Sequence, residues 1–224
     1  MFLVKDLDSK IFDGINEFVE NQRNNGMTAS TDIHPMDEAG QLQKYGEWNP
    51  PNDKRYINPL PPKVTDEISR DCEICWFPTN DEDEEVSKFY DNFKNILTWI
   101  NGDPTGWYFD IDIIEDIQYT EYGVGQHYDW HVDTNLDDLA KVRKISFILL
   151  LGDEFEGGEL QLETKMPPSK AIKEKYGNEP RYVTVPLKPG AMVFFHSDIP
   201  HRVTPVTSGT RRTLVGWVAG PHFR

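Results

Sequence analysis

The 224-residue sequence contains no long apolar run. The first residues, 1–4, are apolar, but Lys5 and Asp6 follow at once, so we expect no secretory signal peptide. No later segment approaches the roughly 20 apolar residues that a membrane-spanning helix needs. These absences predict a cytoplasmic protein without a membrane anchor.

Cysteine is also scarce, with only Cys72 and Cys75 in the chain. Their spacing occurs in zinc and redox sites, but no second pair of metal ligands lies nearby in the sequence. The flanking Ile74, Trp76 and Phe77 indicate a strand, in which residues three apart point to opposite faces. We therefore expect the two thiols to pack separately and to bind no metal.

Basic residues are too few to balance the acidic ones, since 23 Lys and Arg stand against 38 Asp and Glu, a formal charge of −15. This charge repels nucleic-acid phosphates and anionic lipid surfaces. The basic clusters at 170–175 and 211–212 are both short. We expect neither nucleic acid nor a membrane as a partner.

The N-terminal part of the chain carries two helical patterns. Apolar residues at helical spacing predict a helix over 9–22 behind Asp8, a favourable N-cap. The acidic run 81–85 predicts the start of a second helix, which ends at 101–102. Residues 26–63 between them are polar and proline-rich, and predict an irregular loop that either covers a binding site or straps the surface.

The pattern changes to period two at Trp107, where Phe109, Ile111 and Ile113 alternate with acidic residues and predict a half-buried strand. Further strands are predicted at 117–122, 126–133, 144–151, 159–164, 182–187, 191–196, 201–206 and 212–219. A short helix is expected over 169–176. Many short strands after two helices predict a sandwich or jelly roll with helices packed outside.

Two His-x-Asp tripeptides, at 127–129 and 131–133, are the first candidates for chemistry. Residues two apart in a strand share a face, so each tripeptide could present an imidazole and a carboxylate to one metal ion. Alternation along the strand does not distinguish the two tripeptides, because the side chains of residues 127, 129, 131 and 133 would all lie on one face. Position favours the second pair, since the polar Thr134 and Asn135 place Asp133 at a strand end, where a pocket can open.

A distal segment supplies a third ligand and a cation. His201 and Arg211 lie on two strand patterns joined by a turn at 208–209. Two histidines and one carboxylate leave three positions of Fe(II) open for O₂ and a bidentate 2-oxo acid. The far carboxylate of 2-oxoglutarate then requires a buried cation, for which Arg211 is the candidate. Arg212 would point to the opposite side, toward solvent or a surface ion pair.

These residues resemble the prolyl 4-hydroxylase-like branch of the 2-oxoglutarate and Fe(II)-dependent dioxygenases. The segments that carry the resemblance are 118–122, 128–133, 143–146, 157–160 and 201–217. The resemblance implies a mainly β double-stranded β-helix, a cupin-like jelly roll, with flanking helices. It implies that residues 107–224 form the dioxygenase domain, and that residues 1–106 supply the helices and proline-rich loop packed on it.

The same resemblance implies the metal ligands. In the family the metal pair follows an aromatic residue after two intervening positions, which selects His131 and Asp133 after Tyr128. Asp129 is then a bystander, and His201 is the distal ligand.

Three further residues are implied to serve the cosubstrate. Arg211 binds the C5 carboxylate of 2-oxoglutarate, Tyr122 hydrogen-bonds the cosubstrate, and Trp217 lies on the strand that closes the pocket floor. Many family members carry a second tyrosine on the strand after the metal pair, where this chain has Leu149 and Leu150.

The resemblance implies hydroxylation of a C–H bond, with O₂ consumed, succinate and CO₂ as coproducts and ascorbate as reductant. A peptidyl proline is the preferred substrate, and Trp48 and Tyr56 of the proline-rich loop are candidate walls for such a peptide. A lysyl or small-molecule hydroxylase, or a non-catalytic metal-binding sensor with the same fold, are the alternatives.

Overall fold

The computed structural model describes residues 2–25, 30–37, 64–79, 82–134, 141–163 and 182–222, which form two helices and fourteen strands. The helices are α1 (Ser9–Asn24) and α2 (Glu84–Ile100). The strands are β1 (Phe2–Asp6), β2 (Ser30–Asp37), β3 (Val64–Phe77), β4 (Ile113–Ile114), β5 (Ile117–Tyr122), β6 (His127–His131), β7 (Val142–Leu150), β8 (Phe155–Gly157), β9 (Leu160–Glu163), β10 (Tyr182–Thr184), β11 (Ala191–His196), β12 (His201–Val203), β13 (Val206–Gly209) and β14 (Arg211–Gly220).

Both predicted helices are confirmed, and side-chain caps fix their starts. Asp8 accepts a hydrogen bond from the Lys10 amide before α1, and Asp83 accepts from two amides of the first turn of α2. Neither of these helices, the only ones in the described ranges, is long and apolar enough to cross a membrane.

The fold is mainly β, as predicted, and is dominated by one curled sheet of twelve strands. Its order is β1-β11-β7-β14-β5-β3-β6-β12-β9-β10, with β2 added to β3 and β4 to β14. The long strand β3 carries the bend, because residues 73–77 pair with β5 while residues 70–71 pair with β6. The two halves of the sheet therefore enclose a common interior.

Two apolar clusters lie on opposite sides of this sheet. The outer core contains α1, α2 and the strand residues that face them, with Phe18 stacked on Phe89 at 4.3 Å and Phe93 on Phe147 at 5.3 Å. The inner cluster lies within the curl. The two cysteines form no disulfide. Cys72 belongs to the inner cluster and Cys75 packs against the outer core, so the prediction that they face opposite sides is confirmed.

The predicted strand from Trp107 is wrong for most of its length, because only Ile113 and Ile114 pair as β4. Among the described residues the preceding segment pairs with no strand, apart from the Asp112 amide, which donates to the Ala219 carbonyl at 2.9 Å. Gly106 and Tyr108 both adopt positive φ angles, 66° and 46°. The apolar residues of this segment still pack against the outer core. Their alternation therefore records burial of an extended segment and not a strand.

The predicted loop over 26–63 is wrong in part, and the predicted helix over 169–176 cannot be compared with the structure. Within the proline-rich region, residues 30–37 pair with β3 as a strand, and the register shifts at Pro35, which lacks an N–H for the ladder. The rest of the predicted loop and the predicted helix over 169–176 lie outside the described residues.

The strand predictions agree best where strands are buried. Those at 117–122 and 191–196 match β5 and β11. The one at 201–206 is divided into β12 and β13, because Pro205 interrupts the ladder.

Candidate metal centre

Antiparallel pairing brings the two predicted histidine ligands together. His131 is the last residue of β6, His201 is the first residue of β12, and the two are direct partners across the strands. Their ring centroids are 4.0 Å apart. Asp133 lies just beyond the end of β6, as the sequence predicted.

The three side chains form a compact, buried group. The Nε2 atom of His131 is 3.7 Å from Oδ1 of Asp133, and Nε2 of His201 is 3.4 Å from Oδ2. The ligand atoms all lie within 4.8 Å of one another, a spacing that one ion can bridge. The side chains are 4%, 9% and 4% exposed in chain order. That these residues bind iron stays a prediction.

Backbone carbonyls fix the orientation of both imidazoles. Nδ1 of His131 is 2.8 Å from the Asp129 carbonyl oxygen, and Nδ1 of His201 is 2.9 Å from that of Ile199. A carbonyl only accepts, so each Nδ1 carries the proton and donates it. Each Nε2 therefore keeps its lone pair for a metal, an arrangement typical of metal-binding histidines.

The electrostatics of the group favour a neutral imidazole and an ionised carboxylate. Burial and the neighbouring His201 hold the pKa of His131 well below its usual value. Burial raises the pKa of Asp133, but the two imidazoles and a hydrogen bond from Ser146 outweigh it and lower this pKa overall. Both groups are thus in the protonation states that metal binding requires.

The expectation that residues 127, 129, 131 and 133 share one face is wrong, because a β-bulge interrupts β6. His131 pairs with His201, but the next pair joins Tyr128 to Val203, which leaves an extra residue on β6. The bulge turns Tyr128 inward, where its ring stacks on His131 at 3.4 Å. His127 and Asp129 do not line the cavity at the metal group.

A cavity of about 350 Å³ opens at the metal group inside the curled sheet. Its lining residues come from strands in both halves of the sheet and from the segment 132–134 after β6: Arg70, Trp76, Gln118, Thr120, Tyr122, Tyr128, His131, Val132, Asp133, Thr134, Arg143, Ile148, His201, Val203, Arg211, Thr213, Val215 and Trp217.

The inner end of this cavity holds Arg211, which is 2% exposed. No described carboxylate lies within ion-pair distance of its guanidinium, which approaches only Thr213 Oγ1 at 3.5 Å and the face of the Tyr122 ring. Burial lowers the pKa of Arg211 to about 10, so the side chain stays charged at neutral pH. A buried cation without a protein counterion is suited to a ligand carboxylate.

Gly158, which has no side chain, leaves room for the side chain of Arg211. Gly158 has a φ of 58°, and a Cβ atom there would lie 2.9 Å from Cδ of Arg211. The Gly157-Gly158 pair is therefore required both for the turn and for the close approach of the guanidinium stem.

The fold and site match a known family. Residues 117–219 match the model described as the 2OG-Fe(II) oxygenase superfamily. These residues are therefore similar to a 2OG-Fe(II) oxygenase domain. The description names Fe(II) and 2-oxoglutarate, and the three converging ligands and the uncompensated Arg211 fit both groups.

Curated relatives of this domain are PKHD-type hydroxylases. The protein from Synechococcus sp. (strain CC9605) is 31% identical over 126 residues, covering 55% of this chain and 50% of the relative. That from Hyphomonas neptunium is 35% identical over 101 residues, covering 43% and 39%. The chain thus spans about half the length or less of these relatives.

Solved structures share the fold across nearly the whole chain. A Pseudomonas putida prolyl-4-hydroxylase has a TM-score of 0.60 at 16% identity, covering 99% of this chain and 93% of that one. The viral collagen prolyl hydroxylase of Paramecium Bursaria Chlorella virus-1, in its 2OG complex, has a TM-score of 0.54 at 17% identity, covering 98% and 96%. These likenesses confirm the predicted double-stranded β-helix.

The remaining residues that were predicted to serve the cosubstrate also lie at the cavity. Tyr122 is buried beside Arg211, with the ring centroid 5.7 Å from the guanidinium carbon, and Trp217 lines the wall near Asp133. On β7, Ile148 lines the cavity and Leu150 lies beside Arg211, whereas Leu149 belongs to the outer core. The neighbours of Arg211 on this strand are therefore apolar.

Arg212 takes the opposite side of β14, as predicted. Its Nε is 2.9 Å from Glu121 Oε1 in a partly exposed ion pair. Alternation along the strand therefore separates the two neighbouring arginines into a cavity residue and a surface residue.

Several lining residues were not singled out from the sequence. Arg143, on the strand after the metal pair, forms a two-pronged ion pair with Glu115 at 2.6–2.9 Å and lies over the Trp217 ring at 4.1 Å. Arg70 and Trp76 reach the cavity from β3, far upstream of the motif segments. Arg143 lies in a segment that resembles the family, but only the long-range pairing of β3 reveals the other two.

Proposed function

We propose that this chain is an Fe(II)- and 2-oxoglutarate-dependent dioxygenase that hydroxylates a C–H bond, with succinate and CO₂ as coproducts. The observation that carries the proposal is the convergence of His131, Asp133 and His201 in the same cavity as the uncompensated Arg211. An isolated metal site would not require a buried cation beside it, and an anion site would not require two oriented imidazoles.

The protein's part in this reaction begins with the metal. The two Nε2 atoms and the Asp133 carboxylate would hold Fe(II) on one face, and the bound ion would supply the activation of O₂. Because hydrogen bonds to backbone carbonyls fix both imidazoles, the ligands need little reorganisation on binding.

Arg211 would bind the distal carboxylate of 2-oxoglutarate. Its guanidinium is the charged group at the inner end of the cavity, and the surrounding apolar side chains Ile148 and Leu150 keep water from competing for it. A charge-assisted, two-pronged contact in such surroundings orients the cosubstrate as well as binding it. The 2-oxo acid end can then reach the metal ligands across the same cavity.

For the substrate we propose a peptidyl proline. The outer part of the cavity presents the indoles of Trp76 and Trp217, whose ring centroids are 5.9 Å apart, as one apolar surface against which a saturated ring can pack. Arg143, held by Glu115, presents donors for the carbonyl oxygen of an extended peptide. The similarity of this chain to curated PKHD-type hydroxylases supports hydroxylation as the reaction.

A fold neighbour adds support for a peptide. The Trichoplax adhaerens prolyl hydroxylase, with a TM-score of 0.57 at 17% identity over 97% of this chain and 82% of that one, was solved with a peptide from hypoxia inducible factor. Trp48 and Tyr56, the other candidate walls, lie outside the described residues. Ascorbate as the reductant and a cytoplasmic location complete the proposal.

The test is succinate production by the purified chain supplied with Fe(II), ascorbate, 2-oxoglutarate and proline-containing peptides. We expect succinate to form and the peptide to gain the mass of one oxygen atom, with no gain in a matched peptide whose proline is replaced by alanine. Hydroxylation of lysine peptides instead would support the dioxygenase activity and contradict the proposed proline substrate. No succinate above a His131→Ala control would favour a non-catalytic metal-binding protein.

A further inference from the structure

Each proposed imidazole ligand contacts an aromatic ring as well as a backbone carbonyl. The ring of Tyr128 stacks on that of His131, with the centroids 3.4 Å apart and the planes 12° from parallel. The ring of Phe195 meets His201 edge to face at 4.7 Å. The two imidazoles are 4.0 Å apart, so the four rings form one continuous column through the metal group.

The place of Tyr128 in this column depends on the β-bulge of β6. In a regular strand, residues three apart point to opposite faces, so Tyr128 and His131 would lie on different sides of the sheet. The ladder pairs His131 with His201 and Tyr128 with Val203, and the extra residue of β6 between these pairs brings both rings to the inner face. The bulge therefore permits the stack.

Arg70 restrains the Tyr128 ring from the neighbouring strand. The two residues are ladder partners between β3 and β6, and the guanidinium carbon lies over the Tyr128 ring, 4.7 Å from its centroid. A guanidinium nitrogen donates to Gln118 Oε1 at 2.9 Å, which fixes the position of the cation. Two parallel rings 3.4 Å apart leave no room between them, so the guanidinium packs over the face that His131 does not cover. Tyr128 is thus held on both faces.

The stack supplies a restraint that the hydrogen bond of His131 lacks. The bond from Nδ1 to the Asp129 carbonyl at 2.8 Å fixes one edge of the imidazole, but the ring can still swing about that bond. A parallel ring at 3.4 Å blocks this motion, because a tilt of the imidazole would press its edge into the Tyr128 ring. The hydrogen bond and the stack together fix the direction in which Nε2 points.

We infer that Tyr128 is a positioning residue of the metal centre, which holds the imidazole of His131 in the orientation that a divalent metal requires. Tyr128 acts through His131. This inference rests on the metal centre proposed above and adds to it an aromatic residue outside the ligand set. The stack uses the face of the ring and not the hydroxyl group, so phenylalanine should serve as well as tyrosine.

The test is a titration of Co(II), as a spectroscopic probe, into the metal-free full chain. Tyr128→Leu removes the ring, and we expect it to weaken Co(II) binding by about 10-fold and to alter the visible absorption of the bound ion. Tyr128→Phe keeps the ring and should retain the wild-type affinity and spectrum. If Tyr128→Phe loses as much affinity as Tyr128→Leu, the hydroxyl group carries the effect and the inference is overturned.

Trp130→Leu is the matched control, since it removes an aromatic ring of the same strand that packs on Arg202 and Tyr182 and does not line the cavity. It should bind Co(II) as the wild type does. Wild-type affinity and spectrum in a folded Tyr128→Leu variant would overturn the inference, and so would an equal loss of affinity in Trp130→Leu.

A second variant decides if Tyr128→Leu fails to fold. Tyr128→Met has no ring, but its flexible side chain fills irregular gaps in a core and is better tolerated. It should weaken Co(II) binding as Tyr128→Leu would, and an affinity equal to that of Trp130→Leu would overturn the inference as well.

The titration also separates this inference from the proposed function. A wild-type chain that binds no Co(II) would contradict the metal centre itself. Binding that the loss of the Tyr128 ring leaves unchanged would contradict only the positioning role.

Discussion

The two faces of the curled sheet differ in chemistry although they are built from the same strands. On β7, Phe147 belongs to the outer core, while its neighbours Ser146 and Ile148 face inward. On β14, Leu214 faces outward, while Thr213 and Arg211 line the cavity. Alternation along each strand thus divides one sheet into an apolar face that stabilises the fold and a polar face that carries the site.

The inner face is the more costly of the two to fold. It buries two imidazoles, a carboxylate and a guanidinium, and such groups are unfavourable in an interior unless partners satisfy them. The outer core buries mostly aromatic and aliphatic side chains without polar atoms. We therefore expect substitutions on the inner face to change binding and turnover, and substitutions in the outer core to change stability.

The largest effect is expected from His201→Ala on the inner face. Loss of one of the three proposed metal ligands should reduce succinate formation to background. The thermal midpoint should change little, because the substitution also removes a buried polar group. Circular dichroism melting alongside the succinate assay checks this, and a large fall in the midpoint would contradict the division between the faces.

Phe93→Ala in the outer core should have the opposite profile. Phe93 is 0% exposed and packs against Phe89 and Phe147, so its truncation should lower the free energy of unfolding by about 3–5 kcal/mol. Urea unfolding measures this loss, and Co(II) titration of the protein that remains folded should give the wild-type affinity. Weakened metal binding would show that the two faces are coupled.

Arg211→Ala should weaken 2-oxoglutarate binding by about 10- to 100-fold while metal still binds, since a charged hydrogen-bonding partner contributes about 1.5–3 kcal/mol. Arg212→Ala is the matched control on the opposite side of β14, and it loses only a partly exposed ion pair. Calorimetric titration of 2-oxoglutarate into the metal-loaded chain measures the affinity of both variants. Unchanged cosubstrate affinity in Arg211→Ala would move the cation role to another residue.

The smallest effect is expected from Tyr90→Phe. The Tyr90 hydroxyl accepts from the Ile117 amide at 2.9 Å and donates to the Phe77 carbonyl, so its removal should cost about 1–3 kcal/mol of unfolding free energy at pH 7.

The cost should shrink at alkaline pH. Burial raises the pKa of Tyr90 to about 12, above the value near 10 in an unfolded chain. Its stabilisation is therefore fully present below about pH 10 and is lost as the pH rises through 12. Urea unfolding at pH 7 and pH 11 checks the sign, and a difference between wild type and variant that grows with pH would contradict it.

Much of the apolar face was predictable from local patterns. The stripes and caps of α1 and α2 and the buried runs of β5 and β11 are signals that neighbouring residues carry by themselves. The prediction of a strand from Trp107 was wrong because alternation of apolar and polar residues indicates only which side chains are buried. It does not show whether the segment pairs with another strand.

The polar face was predictable only in part. The proposed metal ligands and Arg211 followed from short motifs and from a family resemblance, and the structure brings these residues to one cavity. The β-bulge in β6, the approach of Arg70 and Trp76 from β3, and the hydrogen bonds from the Asp133 and Thr134 amides to the Ser197 carbonyl depend on pairings between distant strands. No local pattern in the sequence encodes those pairings.

Metal binding by the three converging side chains is tested by an anaerobic calorimetric titration of Fe(II) into the metal-free chain. We expect one ion bound per chain in the wild type and no specific binding in His131→Ala or Asp133→Ala. Equal binding by these variants, or none by the wild type, would contradict that expectation.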